Sequence, residues 1–211
     1  MTIKQRYKLF IEYFSKHRPD AETELIYKSP FQLLVAVILS AQCTDKRVNI
    51  ITKELFSNYP DVYSFAKTEV ENVFKLISSC SYPNNKAKYI VELSKTLVEK
   101  YGGQVPKNVE ELMQLPGVGR KSANVVASVA FKIPAMPVDT HVFRVAARIG
   151  LTQNAKTPLQ TEEQLVKHIP KDKLNLSHHW LILHGRYICQ ARKPKCKDCG
   201  INNFCAYFTK N

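Results

Sequence analysis

The chain has 211 residues, 45% of them hydrophobic, and Lys plus Arg outnumber Asp plus Glu by 31 to 18, for a net charge of +13. That length and apolar content exclude a disordered chain and suit one domain or two small ones. The basic excess points to a polyanionic partner, nucleic acid or an anionic membrane surface, although ribosomal, chromatin and merely soluble proteins share it. Residues 1–13 already carry Lys4, Arg6, Lys8 and Glu12, with no secretory apolar region after them. The longest apolar run, residues 33–39, is too short to span a bilayer. A cytoplasmic protein without a membrane partner is expected. In a reducing compartment, its six cysteines point to metal or chemistry before disulfides.

Taken in order, residues 2–16 read as a helix with Tyr7, Phe10, Ile11 and Phe14 along one stripe. Ser29 and Pro30 signal the start of a helix over 31–42 that is apolar on almost every face and so central to a core. An amphipathic helix is expected over 45–58, with two short ones at 61–67 and 69–78. Pro83 opens a long helix ending at Gly102 and Gly103. Asn108 caps a helical run over 109–115, and residues 120–131 form the next helix. Residues 133–137, with two prolines, read as an extended connector. Helices follow over 139–149, from Thr157-Pro158, and over 174–189. No segment shows strand periodicity, so the expected fold class is all-α.

The stretch around which the rest is organised is Leu115-Pro116-Gly117-Val118-Gly119-Arg120-Lys121-Ser122-Ala123. Pro116 stops one helix, and Gly117 and Gly119 permit conformations and close approaches that a side chain would block. The next helix then opens on exposed backbone N–H groups, an arrangement that binds phosphate. Lys121 stands in that first turn, where a second cation is unwelcome. The bland reading is an ordinary helix–turn–helix corner with a surface lysine.

Four cysteines, Cys189, Cys196, Cys199 and Cys205, show the spacing C-x6-C-x2-C-x5-C within 17 residues. They can close round one metal centre, and spacing alone leaves both zinc and an iron–sulfur cluster open. The loop between the first two carries Arg192, Lys193 and Lys195, which would offer cations to phosphate or simply be a solvated surface. Cys43 and Cys80 read as small core residues or incidental thiols. Asp139, in Val138-Asp139-Thr140-His141, is on pattern a helix N-cap.

The hairpin stretch resembles the helix-hairpin-helix motif of base-excision DNA glycosylases, close to the endonuclease III form, and further motifs of that family occur in its order. Val138-Asp139-Thr140-His141-Val142 is similar to the family's Val-Asp-Thr-His-Val run, and Leu39-Ser40-Ala41-Gln42-Cys43-Thr44-Asp45 to its Leu-Ser-x-Gln-x-Thr-Asp signature. The resemblance implies two all-α domains, a six-helix domain over 21–133 inserted into one formed by 1–20 with 134–211, and DNA in the groove between them. It implies that Lys121 is the nucleophile, its amine kept partly neutral by burial and by the helix end, and that Asp139 assists attack on C1′. It makes the cysteine spacing a [4Fe-4S] signature. The hairpin of Leu115, Gly117, Val118 and Gly119 would grip a phosphate, and Gln42 would fill the space left by a flipped nucleotide.

Where the family usually shows Gly-x-x-x-x-Lys-Ala, this chain has Ser81-Tyr82-Pro83-Asn84-Asn85-Lys86-Ala87. Tyr82 takes the place of a leucine wedge, and an aromatic there can stack on bases. His141 and Arg144 read as scaffold or phosphate contacts. The function implied is a monomeric glycosylase and AP lyase that removes oxidised pyrimidines from damaged double-stranded DNA. Two rivals are a monofunctional adenine or mismatch glycosylase of the same superfamily and a non-catalytic iron–sulfur DNA-binding module. Neither uses a lysine at position 121 as nucleophile.

Overall fold

Helix starts marked by a short polar side chain are capped by it. Thr2 accepts from Gln5 N at the start of α1 (Ile3–His17), Ser29 from Gln32 N at α2 (Pro30–Leu39), and Thr44 from Arg47 N at α3 (Asp45–Asn58). Asp61 caps α4 (Val62–Lys67), which is followed by α5 (Val70–Ile77) and α6 (Pro83–Tyr101). Asn108 accepts from Glu110 N and Glu111 N to start the single turn α7 (Val109–Leu112), and α8 runs Arg120–Phe131. Asp139 and Thr157 cap α9 (Thr140–Ile149) and α10 (Pro158–His168), and α11 spans Leu174–Tyr187. The structure, a computed structural model, describes residues 1–210, and no strand occurs among them.

The chain divides into two compact units, Glu24–Phe131 and Met1–Thr23 with Lys132–Asn211. In the first, α2 is the centre: nine of its ten residues are buried, so it needs neighbours on every side. It finds α8, α3 and α6. In the second, Phe10 and Phe14 of α1 pack on Trp180 of α11 with ring centroids 5.8 and 5.7 Å away, and Trp180 Nε1 donates to Arg18 O at 2.7 Å. The buried Tyr7 hydroxyl donates to Leu151 O at 2.8 Å. Gly185 lies where α11 meets α9; a Cβ there would come within 3.0 Å of His141 Cβ and Val145 Cγ2.

Two helices are shorter than their apolar patterns suggest. The helix expected over 31–42 ends at Leu39, because its last carbonyls are taken by the ammonium of Lys86 and because Gln42 adopts φ 53°. The run expected over 109–115 stops at Leu112. Leu115 and Val118 are nonetheless buried, held in successive turns by Leu115 N donating to Leu112 O and Val118 N to Leu115 O, each at 3.1 Å. No described helix is long and apolar enough to cross a membrane.

Candidate functional site

The hairpin is built by Gly117 and Gly119, exposed at the turn between α7 and α8. Gly117 has φ +76°, and a Cβ there would meet the Tyr89 ring at 2.7 Å. Gly119 has no such constraint: a Cβ would meet nothing within 4 Å. Its carbonyl accepts from Ala123 N at 2.9 Å, so α8 begins there and its first-turn N–H groups have no intrahelical acceptor. Arg120 and Lys121 stand exposed in that turn, while Ala123 to Val129 are buried. Exposure of Lys121 departs from the partial burial in a groove expected of it. Leu115 and Val118 point inward, so only their backbone can face a ligand.

Two more turns in the same unit carry strained residues. Gln42 and Tyr82 have φ 53° and 54°, a region that bulky side chains rarely occupy and that is retained at sites under functional constraint. Both side chains are exposed, Tyr82 at 62%. The turns are joined: Ser81 Oγ donates to Gln42 O, and Cys80 Sγ donates to Leu39 O at 3.3 Å. Beneath them lies Lys86, only 5% exposed, whose ammonium donates to Leu39 O at 2.9 Å, Ala41 O at 2.6 Å and Cys80 Sγ at 3.2 Å. All three of its donors are thus used, and it caps the negative end of α2. The sequence reading gave Lys86 no role. Its signal was a lysine on the buried stripe of α6, between Pro83 and the Ala87, Ile90, Leu93 and Leu97 positions.

In the other unit Asp139 is the N-cap of α9. Its Oδ1 accepts from His141 N at 2.9 Å and Val142 N at 2.8 Å, while Oδ2 lies 3.4 Å from His141 Nδ1. One oxygen therefore builds the helix end, and the other faces the His141 ring. Arg144 is scaffold: it donates to Thr140 O, Gly185 O and Cys189 O.

The four C-terminal cysteines line one pocket with Ile149, His184 and Ile188. Burial, and then the charges of the neighbouring cysteines, push the Cys196 thiol up. Burial comes first for Cys199 too, and the same neighbours raise it against the bond from Ile201. Thiolates crowded in this way call for positive charge among them. Among the described residues no group of three or more His, Cys, Asp or Glu is set to hold a metal ion as it stands. Arg148, which the sequence reading missed, braces the loop: it donates to Gln190 O at 2.7 Å, Ala191 O at 2.8 Å and Cys189 Sγ at 3.6 Å, and lies 4.9 Å over the Tyr207 ring. Beyond it, Arg192, Lys193 and Lys195 are exposed.

Comparison with known proteins places this arrangement. Residues 35–171 match the model of the HhH-GPD superfamily of base excision DNA repair proteins. The chain is 50% identical over 201 residues to endonuclease III of Rickettsia prowazekii, covering 95% of this chain and 94% of that protein. It is 47% identical to endonuclease III of Bacillus subtilis (89% and 85% covered) and 44% identical to that of Escherichia coli (92% and 92% covered). A solved structure of a trapped endonuclease III–DNA covalent intermediate matches with a TM-score of 0.93 and 44% identity over 100% of this chain and 99% of that one. A thermostable thymine-DNA glycosylase matches with a TM-score of 0.87 and 26% identity, over 98% of each chain. With half of its residues shared over nearly full length, the chain belongs to the endonuclease III family of the HhH-GPD superfamily.

Proposed function

We propose that this chain is a bifunctional DNA glycosylase and AP lyase of base excision repair that removes oxidised pyrimidines from double-stranded DNA. It would act as a cytoplasmic monomer of two domains, 21–133 and 1–20 with 134–211. The observation that carries the reading is Lys121, an exposed amine in the first turn of a helix opened by Gly119. That turn offers N–H groups and the positive helix end to a DNA phosphate. The trapped covalent state of the related endonuclease III is what a lysine nucleophile yields.

The proposed chemistry uses the residues described above. A base within the stack is out of reach, so the nucleotide must leave the duplex, and Gln42 and Tyr82 are the exposed side chains proposed to occupy or wedge the space it leaves. Lys121 Nζ bonds to C1′ as the glycosidic bond breaks and the base departs with a proton. Asp139, rigidly aimed by its cap, handles that proton or offsets the cationic sugar. The sugar ring then opens as the C1′–O4′ bond breaks and O4′ takes a proton given up by the amine, leaving a Schiff base at C1′; this acidifies C2′, and loss of its proton expels the 3′ phosphate and nicks the strand. Since this chain leaves Lys121 exposed, contact with DNA is what would cover the amine.

Cys189, Cys196, Cys199 and Cys205 are proposed to hold a [4Fe-4S] cluster. When bound, that group supplies the positive iron that four close thiolates need and fixes the intervening loop. Arg192, Lys193 and Lys195 would then meet phosphate from a loop of one shape.

Borohydride reduction during reaction with an abasic-site duplex tests the reading, since it converts the Schiff base to a stable amine. A covalent protein–DNA complex is expected from the wild type and none from Lys121→Ala. Trapping by Lys121→Ala would show another amine to be the nucleophile. Base release without trapping in the wild type would support a monofunctional glycosylase instead.

A further inference from the structure

Two cysteines and a lysine lie together outside the chemistry described above. Cys80 is 5% exposed and Cys43 more accessible, and the bond from Ser81 Oγ to Gln42 O sets the residues next to them side by side, with Cys43 close enough to act on the Cys80 thiol. The Lys86 ammonium is 3.2 Å from Cys80 Sγ. Cys43 follows Gln42 and Cys80 precedes Ser81-Tyr82, so the pair bridges the two turns whose backbones are held in the left-handed region. An accessible thiol against a buried second thiol has the layout of a cysteine with its resolving partner.

We propose that Cys43 and Cys80 form an oxidation site, a thiol pair that a hydroperoxide converts to a disulfide joining the Gln42 turn to the Tyr82 turn. The peroxide meets Cys43 first. The Cys43 sulfur bonds to the outer peroxide oxygen, the O–O bond breaks, and a sulfenic acid and one alcohol or water result. The Cys80 sulfur then attacks the sulfenic sulfur; the S–S bond forms, the S–O bond breaks, and the departing hydroxide leaves as water with the Cys80 proton. Two thiols are oxidised by two electrons, and one peroxide is reduced. Burial raises the Cys80 thiol above its ordinary range, and the Lys86 ammonium opposes that by stabilising the thiolate as it attacks.

The bond also removes the proton that Cys80 gives to Leu39 O and ties two turns that must each seat in a distorted duplex. Weaker engagement of damaged DNA follows. This consequence rests on the DNA role proposed for Gln42 and Tyr82; the bond itself does not.

The test exposes the full-length, cluster-loaded protein to a slight excess of tert-butyl hydroperoxide, alkylates remaining thiols, and maps the digest by mass spectrometry. A peptide pair joined through Cys43 and Cys80, lighter by two hydrogens, lost on dithiothreitol treatment and absent from Cys43→Ser and Cys80→Ser, is expected. Alkylation of both cysteines after exposure, or a Cys80–Lys86 link carrying an added oxygen, overturns the proposal. Affinity for an abasic-site duplex should fall on oxidation of the wild type by on the order of fivefold, the low end of usual site-to-site couplings, and return with dithiothreitol. Unchanged affinity in the oxidised wild type overturns the consequence for DNA. Normal binding by Gln42→Ala with the disulfide still forming would instead show that the DNA reading of that turn is wrong.

Discussion

Gly117 and Gly119 are two residues apart, yet glycine is needed for different reasons. Gly117 is required by its own chain, through φ +76° and the Tyr89 ring 2.7 Å from where a Cβ would be. Gly117→Val should therefore destabilise the fold as well as weaken DNA binding, and would not separate the two. A Cβ at Gly119 would meet nothing of the chain, so a side chain there obstructs a partner before it disturbs the fold. Gly119→Val should change the unfolding free energy measured in urea by no more than ordinary surface changes do, about 0.5 kcal/mol, while affinity for any duplex falls. Equal affinity for wild type and Gly119→Val would show that no phosphate approaches this turn. Asp139→Asn keeps an oxygen to accept from His141 N and Val142 N, so α9 should persist. Base release in single-turnover assays should nonetheless slow by about 10² or more, the scale of a lost acid–base group.

Among the elements, the C-terminus of α2 shows how one buried charge shapes a functional turn. Lys86 replaces the helical partners that Leu39 O and Ala41 O lack and so lets the chain leave the helix at Ser40. Lys86→Met keeps the apolar stem but leaves Ala41 O without that donor. A loss of about 1–3 kcal/mol in chemical denaturation is expected, the usual cost of a stranded buried polar group, together with weaker abasic-site binding as the Gln42 turn loosens. A stability equal to wild type would mean that water satisfies these carbonyls equally well. α9 does comparable work in the other unit. Asp139 starts it, and Arg144 and Arg148 near its far end tie Cys189 O, Gln190 O and Ala191 O, so the helix that aims the carboxylate also braces the cysteine loop.

For the molecule as a whole, the +13 charge places exposed cations in both units, at Arg120 and Lys121 in one and at Arg192, Lys193 and Lys195 in the other. Two half-buried histidines contribute to the pH response of stability. Burial, with Lys132 and Arg186 adding to it, pushes His179 down from 6.5 to about 4, and burial with Arg18 does the same to His184. Between these values the unfolded chain binds protons that the folded chain refuses, so stability is retained near neutral pH and lost as pH falls towards 4. The urea midpoint should be lower at pH 5 than at pH 7, and His179→Gln should reduce that difference. An undiminished difference in His179→Gln would assign it to other groups.

What the sequence determined by itself was local or periodic. Caps at Ser29, Asn108, Asp139 and Thr157, Pro83 at a helix start, and α3, α6 and α8 to the residue follow from rules that act within a turn or two. The cysteine spacing and the hairpin glycines were legible because each chemistry demands those residue types at short range. Tertiary structure decided what depends on partners distant in sequence. Lys86 reads as one more surface lysine until α6 folds back and its ammonium meets carbonyls 45 and 47 residues away. Cys43 and Cys80 read as incidental until two turns bring their thiols together. Lys121 was expected to be partly buried in a groove, but the chain alone leaves it exposed, because solvation is set by whatever covers a residue and no sequence-local rule specifies that.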